Sequence, residues 1–298
     1  MKLTGTVTRT NGMLSGKLRN PRRSGFGMCY IVALAFLTAC GWLDVSEPDV
    51  PEPDPGSVTV LFIGSSYFGS NNMPGIFQSI ASAAGHQTFV YPQVIPGNYL
   101  DYFADDPETE AVIESLPWDY VILQGGIQNA AYPETHHLIT PSSGYHSLFV
   151  ALHKLEAKIS ANHAATKTVY MMPWAFEDGM TWVEGQTDTY VDMQLLIREN
   201  TKDYADDIGL VLAPVGMAWY DVLEDLSSPH YLHSDDWNHP NYRGSYLSAA
   251  VIVATVFVQS VENAAFQGSL PEALAAEFRE IASRTVLDSL EVWNILPQ

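Results

Sequence analysis

Two serines and one aspartate–histidine pair are the residues of this chain best suited to covalent chemistry. Ser65 and Ser66 directly follow the apolar run VTVLFI and Gly64, whereas Asp236 and His239 lie in the polar segment HSDDWNHP. A serine hydroxyl becomes nucleophilic when a base lies within hydrogen-bonding reach. An aspartate bound to Nδ1 of a histidine leaves Nε2 free to act as that base. The pattern predicts nucleophilic serine chemistry, against the alternative that the serines cap a helix and the histidine is solvated.

Short apolar runs alternate with longer helical patterns beyond residue 57. We predict strands at residues 58–63, 87–95, 119–123, 168–172 and 210–213. We predict helices at residues 74–84, 146–162, 190–205, 241–259 and 271–290. Continuous apolar strands separated by helices are typical of a parallel sheet that is covered on both faces. The predicted fold class is therefore α/β, a three-layer α/β/α sandwich with a central, mainly parallel five-stranded sheet.

Small, hydroxyl and amide residues follow the first three predicted strands. They are the segments 64–67 (GSSY), 95–98 (IPGN) and 124–129 (QGGIQN). Ligands of open parallel sheets bind at the carboxyl ends of the strands. We therefore expect these segments and the loop that contains His239 to meet at one edge of the sheet.

The strand VLFIGSS and the late Asp-x-x-His pair carry a family resemblance. Together with WDYVILQ and DDWNHPNYRGSYLSAAV, they resemble the SGNH hydrolase superfamily, also called the GDSL esterases and lipases, over about residues 58–260. The resemblance implies an SGNH/flavodoxin-like fold with Ser66 as nucleophile, His239 as its base and Asp236 as the residue that orients His239. Ser65 departs from the pattern, because the family has an aspartate or an asparagine at that position.

The resemblance also implies an oxyanion hole. Its backbone donors would be the N–H groups of Ser66 and of Gly97 in VIPGNYL. Its side-chain donor is an asparagine in the family, and Gln128 in DYVILQGGIQN stands at that position. Gln124 and Asn129 stay open as alternative donors.

What the resemblance implies for function is a metal-independent serine esterase without a cofactor. Its substrates would be short-chain esters, favouring acetyl groups on carbohydrates. The departures at Ser65 and Gln128 leave open a surface protein that has lost catalysis and binds carbohydrate. An acyltransferase with the same residues is a further alternative. Trp174, Phe176 and Trp182 follow the fourth strand and either stack on sugar rings or pack in the core.

Charge is divided unevenly along the chain. Of 14 basic residues, six lie within the first 23 positions, so eight are left against 34 acidic residues. Such an acidic domain repels polyanions, and we therefore expect no nucleic-acid partner. A hydrophobic fraction of 47% provides ample material for a core.

The N-terminus has the pattern of an export signal. A basic segment precedes the apolar stretch MCYIVALAFLTA and Cys40, which resembles the lipobox of bacterial lipoproteins. We predict a lipoprotein signal peptide over residues 1–39, lipid attachment at Cys40, a Pro/acid-rich tether over 40–57 and the SGNH hydrolase-like domain over 58–298. The protein would then be exported and lipid-anchored to a membrane, in the periplasm or on the outer-membrane surface.

Overall fold

The part of the chain that can be described begins within the predicted tether. The computed structural model describes residues 48–132, 148–182, 189–224 and 231–295. The predicted signal peptide and Cys40 lie outside these residues. Residues 48–57 form no helix or strand, and Val50 packs against the hydrophobic core. Val50, within the predicted tether, therefore contacts the core.

Five parallel strands form one sheet. They are β1 Val58–Gly64, β2 Thr88–Val94, β3 Tyr120–Gln124, β4 Lys167–Met171 and β5 Val211–Ala213. Their order is β2-β1-β3-β4-β5, and every neighbouring pair is parallel. Residues 60–63 of β1 are completely buried, as expected for a strand covered on both faces. The predicted α/β class and five-stranded sheet are confirmed.

Helices cover both faces of this sheet. Within the described residues they are α1 Ser66–Gly69, α2 Met73–Ala83, α3 Leu100–Asp105, α4 Pro107–Glu114, α5 Ile127–Ala131, α6 Leu148–Asn162, α7 Tyr190–Ile208, α8 Val215–Leu223, α9 Tyr242–Phe257 and α10 Glu272–Leu287. Helix α9 packs against α2 and α10, helices α3, α4 and α6 pack together, and α8 contacts α7 and α9. The sequence prediction missed α1, α3, α4, α5 and α8.

Helix α9 is the apolar centre of its layer. Thirteen of its residues are buried, and it packs against α2, α8 and α10. Its apolar sequence thus reflects burial in the protein core. In the part of the chain described, no helix has the length and apolarity needed to span a membrane.

The strand order creates a switch point at β1. The chain runs from β1 to β2 on one side, then crosses back to β3 on the other side. At such a point the two crossovers leave in opposite directions, which opens a crevice at the carboxyl ends of the strands. Ser66 lies at this crevice, directly beyond β1.

Candidate active site

The turn after β1 separates the roles of its two serines. The backbone N–H and the hydroxyl of Ser65 both donate to Gln124 Oε1, at 2.7 and 3.1 Å. Ser65 is therefore tied to the end of β3 and is buried. A Cβ atom on Gly64 would lie 2.7 Å from the same Gln124 oxygen, so the contact requires glycine here. Ser66 is the serine left to face the crevice, as the first residue of α1.

The loop that holds His239 is closed on itself. An antiparallel bridge joins His233 to Pro240, and Ser234 N–H donates to His239 O at 2.8 Å. Asp236 Oδ1 accepts from His239 N–H at 2.8 Å, Asn238 N–H at 3.1 Å and the Ser234 hydroxyl at 2.7 Å. These bonds hold the Asp236 carboxylate in position before it contacts the imidazole ring.

Ser66, His239 and Asp236 form a hydrogen-bonded line. His239 Nδ1 lies 2.6 Å from Asp236 Oδ2, and His239 Nε2 lies 2.7 Å from Ser66 Oγ. A carboxylate only accepts, so the imidazole proton sits on Nδ1 and Nε2 accepts from the serine hydroxyl. The structure therefore brings together all three residues predicted to act as nucleophile, base and orienting acid.

Asp236 stays ionised in this arrangement. Partial burial alone would raise its pKa. The backbone and side-chain hydrogen bonds from His239, with those from Ser234 and Asn238, outweigh that effect and hold the pKa of Asp236 well below its ordinary value. A permanent carboxylate at Nδ1 favours an imidazolium at His239 during a reaction.

Hydrogen bonds that no sequence pattern predicted join the turn after β1 to the loop of residues 233–240, which we call the histidine loop. The Tyr67 hydroxyl donates to Asn238 Oδ1 at 2.6 Å, and Asn71 Nδ2 donates to Pro240 O at 3.1 Å. Trp174 Nε1 donates to Asn238 O at 2.9 Å. Asn238 lies inside the Asp-x-x-His motif, which was the signal that could have drawn attention to it. Tyr67 and Asn71 had no comparable signal.

A cavity of about 340 Å³ opens beside the Ser66 hydroxyl. It is lined by residues from the turns after β1, β2, β3 and β4 and from the histidine loop: Ser65, Ser66, Tyr67, Gly97, Asn98, Tyr99, Gly126, Gln128, Phe176, Trp182, Trp237, Asn238 and His239. Its size is within the range of pockets that bind small molecules. The predicted convergence of strand ends at one edge is thus present in the structure.

The candidate oxyanion donors are not equivalent. Gly97 and Gln128 line the cavity, and Gln128 Nε2 donates to the Tyr99 hydroxyl at 2.5 Å. Gln124 does not line it, because its oxygen holds Ser65 and its Nε2 donates to Gly125 O. Asn129 is buried away from the cavity. The geometry keeps Gln128 as the candidate side-chain donor and does not support Gln124 or Asn129.

The aromatic residues after β4 divide between core and cavity. Trp174 is fully buried and stacks on Trp219 at a centroid distance of 4.3 Å. Phe176 and Trp182 line the cavity instead. No group of three or more His, Cys, Asp or Glu side chains suited to a metal ion occurs among the described residues.

Comparison with known proteins finds likeness at the level of structure. No family model and no curated protein matches the chain. A DUF4886 family protein from Bacteroides uniformis superposes with a TM-score of 0.64 at 15% identity, over 78% of this chain and 95% of that one. A candidate SGNH hydrolase from Slackia heliotrinireducens has a TM-score of 0.53 at 21% identity, over 66% and 97%. LAE5, an α/β hydrolase from the metagenome of Lake Arreo, Spain, has a TM-score of 0.52 at 18% identity, over 67% and 95%.

These superpositions, at such low sequence identities, establish the fold of the chain. The chain has the α/β/α fold of the SGNH hydrolases, and the resemblance drawn from its sequence is confirmed at that level. A fold hosts many activities, so the chemistry has to be argued from the site itself.

Proposed function

We propose that the protein is a metal-independent serine esterase of the SGNH type. The observation that carries this proposal is the hydrogen-bonded line from Ser66 Oγ through His239 to Asp236, with separations of 2.7 and 2.6 Å. It lies at the switch point of the sheet, beside a cavity large enough for a small ester.

The first half-reaction acylates Ser66. His239 Nε2 removes the hydroxyl proton as Oγ attacks the ester carbonyl, and the carbonyl electron pair moves onto oxygen. When the tetrahedral intermediate collapses, the bond to the alcohol oxygen breaks and His239 transfers its proton to that oxygen. Asp236 stabilises the imidazolium that exists between the two proton transfers.

The second half-reaction releases the acid. Water attacks the acyl-Ser66 carbonyl while His239 Nε2 removes its proton, and collapse returns that proton to Ser66 Oγ. In both halves the negative oxygen needs donors, and we assign the backbone N–H groups of Ser66 and Gly97 and the Gln128 amide to this task. Each donor of this kind contributes about 100- to 1000-fold in rate.

Short acyl esters of carbohydrates are the proposed substrate class. The modest cavity and the aromatic residues that line it, Phe176, Trp182 and Trp237, support this choice. The alternative of a carbohydrate-binding protein without catalysis was motivated by Ser65 and Gln128. Ser65 has a structural role of its own at Gln124, and Gln128 still places an amide at the cavity. Acyl transfer would follow the same first half-reaction, with a sugar hydroxyl in place of water.

The test is hydrolysis of p-nitrophenyl acetate by the full chain with a chelator present throughout. Ser66→Ala and His239→Ala should each reduce kcat by about a thousandfold or more. A fluorophosphonate probe should label the wild type and the matched control Ser65→Ala, but not Ser66→Ala. Product analysis with a sugar acceptor separates hydrolysis from acyl transfer.

Equal activity in the wild type and both variants would be background and would refute the assignment of Ser66. No labelling in any form, with sugar binding intact, would favour the binding protein. Activity that disappears with the chelator and returns with a metal ion would contradict metal independence.

We also propose that the enzyme is exported and held at a membrane by lipid on Cys40. The support is the sequence alone: a basic segment, an apolar stretch and Leu-Thr-Ala before the cysteine. Cys40→Ser should abolish incorporation of labelled palmitate by a bacterial host and release the protein from the membrane fraction. Unchanged labelling in that variant would refute lipid attachment at this position.

A further inference from the structure

Two exposed indole rings stand beside the candidate base. Trp182 and Trp237 are 51% and 45% exposed, although both line the cavity that contains His239. Their centroids are 5.0 Å apart, and both rings contact Phe176, at 5.2 and 5.5 Å. Phe176 itself is buried. The pair thus forms an open aromatic surface on a buried support, which we call the indole platform.

The backbone of Trp237 points to a role for its ring. Trp237 lies between Asp236 and His239 and has φ of +56°. This left-handed conformation is rare for a bulky residue, and such strain concentrates at functional sites. Two backbone bonds hold it: Trp237 N–H donates to Ser234 O at 3.0 Å, and Glu177 N–H donates to Trp237 O at 3.1 Å. Glycine would satisfy this backbone without strain, so the indole ring is what the position adds.

Proton transfer decides which part of the ester would meet the platform. The alcohol oxygen must accept the proton from His239 Nε2, so the alcohol lies on the His239 side of the scissile carbonyl. The carbonyl oxygen would bind to the proposed donors at Gly97 and Gln128, which line the same cavity. Trp237 is two residues before His239 in the same loop. The platform is therefore the surface next to the departing alcohol.

Acidic residues are the chain neighbours of the platform. Glu177 and Asp178 follow Phe176 directly, and Asp235 lies two residues before Trp237. Burial, the hydrogen bond to Glu177 and the charges of Asp235 and Asp178 together raise the pKa of Tyr231 to about 12. Carboxylates accept hydrogen bonds from hydroxyl groups and repel anions. Flat apolar rings whose chain neighbours are acceptors suit an uncharged ring that carries several hydroxyl groups.

We propose that Trp182 and Trp237 form the alcohol subsite of this enzyme and that its occupant is an uncharged sugar ring stacked on the indoles. This inference rests on the proposed esterase function and makes it more specific. It assigns substrate preference to the alcohol and not to the acyl group.

The test compares two acetates that differ only in their alcohols: ethyl acetate and an O-acetylated methyl glycoside. Their kcat/KM values are measured in the wild type, Trp182→Ala, Trp182→Phe, Trp237→Ala and Tyr102→Ala. Tyr102 is a matched control because its ring is 45% exposed but does not line the cavity. We expect the ratio of glycoside to ethyl acetate to fall at least tenfold in Trp182→Ala, mainly through KM. Trp182→Phe should regain part of it, and Tyr102→Ala should leave it unchanged.

The outcomes separate the two proposals. If the wild type cleaves neither acetate, the esterase function has failed. If it cleaves ethyl acetate but Trp182→Ala and Trp237→Ala keep the wild-type ratio, the platform does not bind the alcohol. Equal losses on both acetates would show that the indoles only support the loop, and would also overturn the subsite.

Discussion

At the scale of single residues, Gln128 is the candidate donor that the sequence left most open. Its amide lines the cavity and is held by the Tyr99 hydroxyl, which leaves a second N–H for an oxyanion. Gln128→Leu keeps a similar volume but removes both N–H groups. We expect kcat on p-nitrophenyl acetate to fall about 100- to 1000-fold with little change in the melting temperature. A fall of less than threefold would mean that the backbone donors suffice.

Two substitutions of Trp237 separate the backbone strain at this position from the contribution of the indole ring. Trp237→Ala and Trp237→Gly both remove the indole, but only glycine adopts φ of +56° without a steric penalty. We expect the glycine variant to be more stable than the alanine variant by about 1 kcal/mol in urea unfolding. Equal free energies of unfolding for the two variants would contradict strain at this position.

Asp236 links the site to acid stability. Its pKa is lowered in the folded protein, so its contribution is fully present above the unfolded pKa, about 3.8, and is lost as pH falls through the lower folded pKa. Asp236→Asn should therefore melt below the wild type at pH 7 and at pH 5, and the gap should narrow as the pH falls below 4. Thermal melts across this range test the sign, and a gap that widens in acid would refute it.

The sequence predicted which side chains meet at the candidate site, but not the long-range hydrogen bonds that hold them there. The proximity of Ser66, Asp236 and His239 could be predicted because few side chains suit the roles of nucleophile, base and orienting acid, and because their motifs are short. The hydrogen bonds from Tyr67 to Asn238 and from Asn71 to Pro240 join positions about 170 residues apart, and no local sequence pattern predicts them. The left-handed backbone of Trp237 could not be predicted either, because backbone propensity favours glycine at such a conformation.

At the scale of elements, the predictable helices were the long ones with a regular apolar pattern. Helices α3 and α4 have six and eight residues, too few turns for a clear period. Asp106 caps α4 by accepting from Thr109 N–H, which is a signal that the sequence did carry. Pro214 and Gly216 obscured α8 because both lower helix propensity. Tertiary packing overrides that preference, which is why those boundaries could not be predicted.

The start of α9 offers a test of packing between elements. A Cβ atom on Gly244 would lie 2.5 Å from the Trp219 ring and 2.6 Å from Leu232 O, just before the histidine loop. Alanine favours helix by about 1 kcal/mol over glycine, yet overpacking costs about 1–3 kcal/mol. We expect Gly244→Ala to lower both the free energy of unfolding and esterase activity.

Gly69→Ala is the matched control for that change. A Cβ atom there would meet only Val94 Cγ1, at 3.5 Å, and its φ of −66° suits any residue. Its free energy of unfolding should equal or exceed that of the wild type. If Gly244→Ala were as stable as this control, the predicted clash would be absent.

At the scale of the whole molecule, acidic charge should shape substrate preference. The formal net charge is −20 at pH 7, and Glu177, Asp178 and Asp235 lie within two residues of Phe176 or Trp237 in the sequence. Like charge slows the approach of anions, and salt screens this effect with a Debye length of about 8–10 Å near physiological ionic strength. Raising NaCl from 10 to 300 mM shortens the Debye length about fivefold and should therefore increase kcat/KM for an anionic aryl acetate. A neutral aryl acetate should not respond, and equal responses would refute electrostatic exclusion.

The hydrogen bond between Ser66 and His239 joins positions 173 residues apart, and this separation has a consequence for the timing of activity. Ribosomes make the proposed nucleophile, Ser66, well before its proposed base, His239. Closing so long a loop is entropically costly, and parallel sheets with distant pairings fold slowly. Until the histidine loop has been synthesised and has docked, Ser66 is an ordinary unreactive alcohol. Under the proposed mechanism the nascent chain is therefore inactive, and turnover begins only after the loop that holds His239 has docked against Ser66.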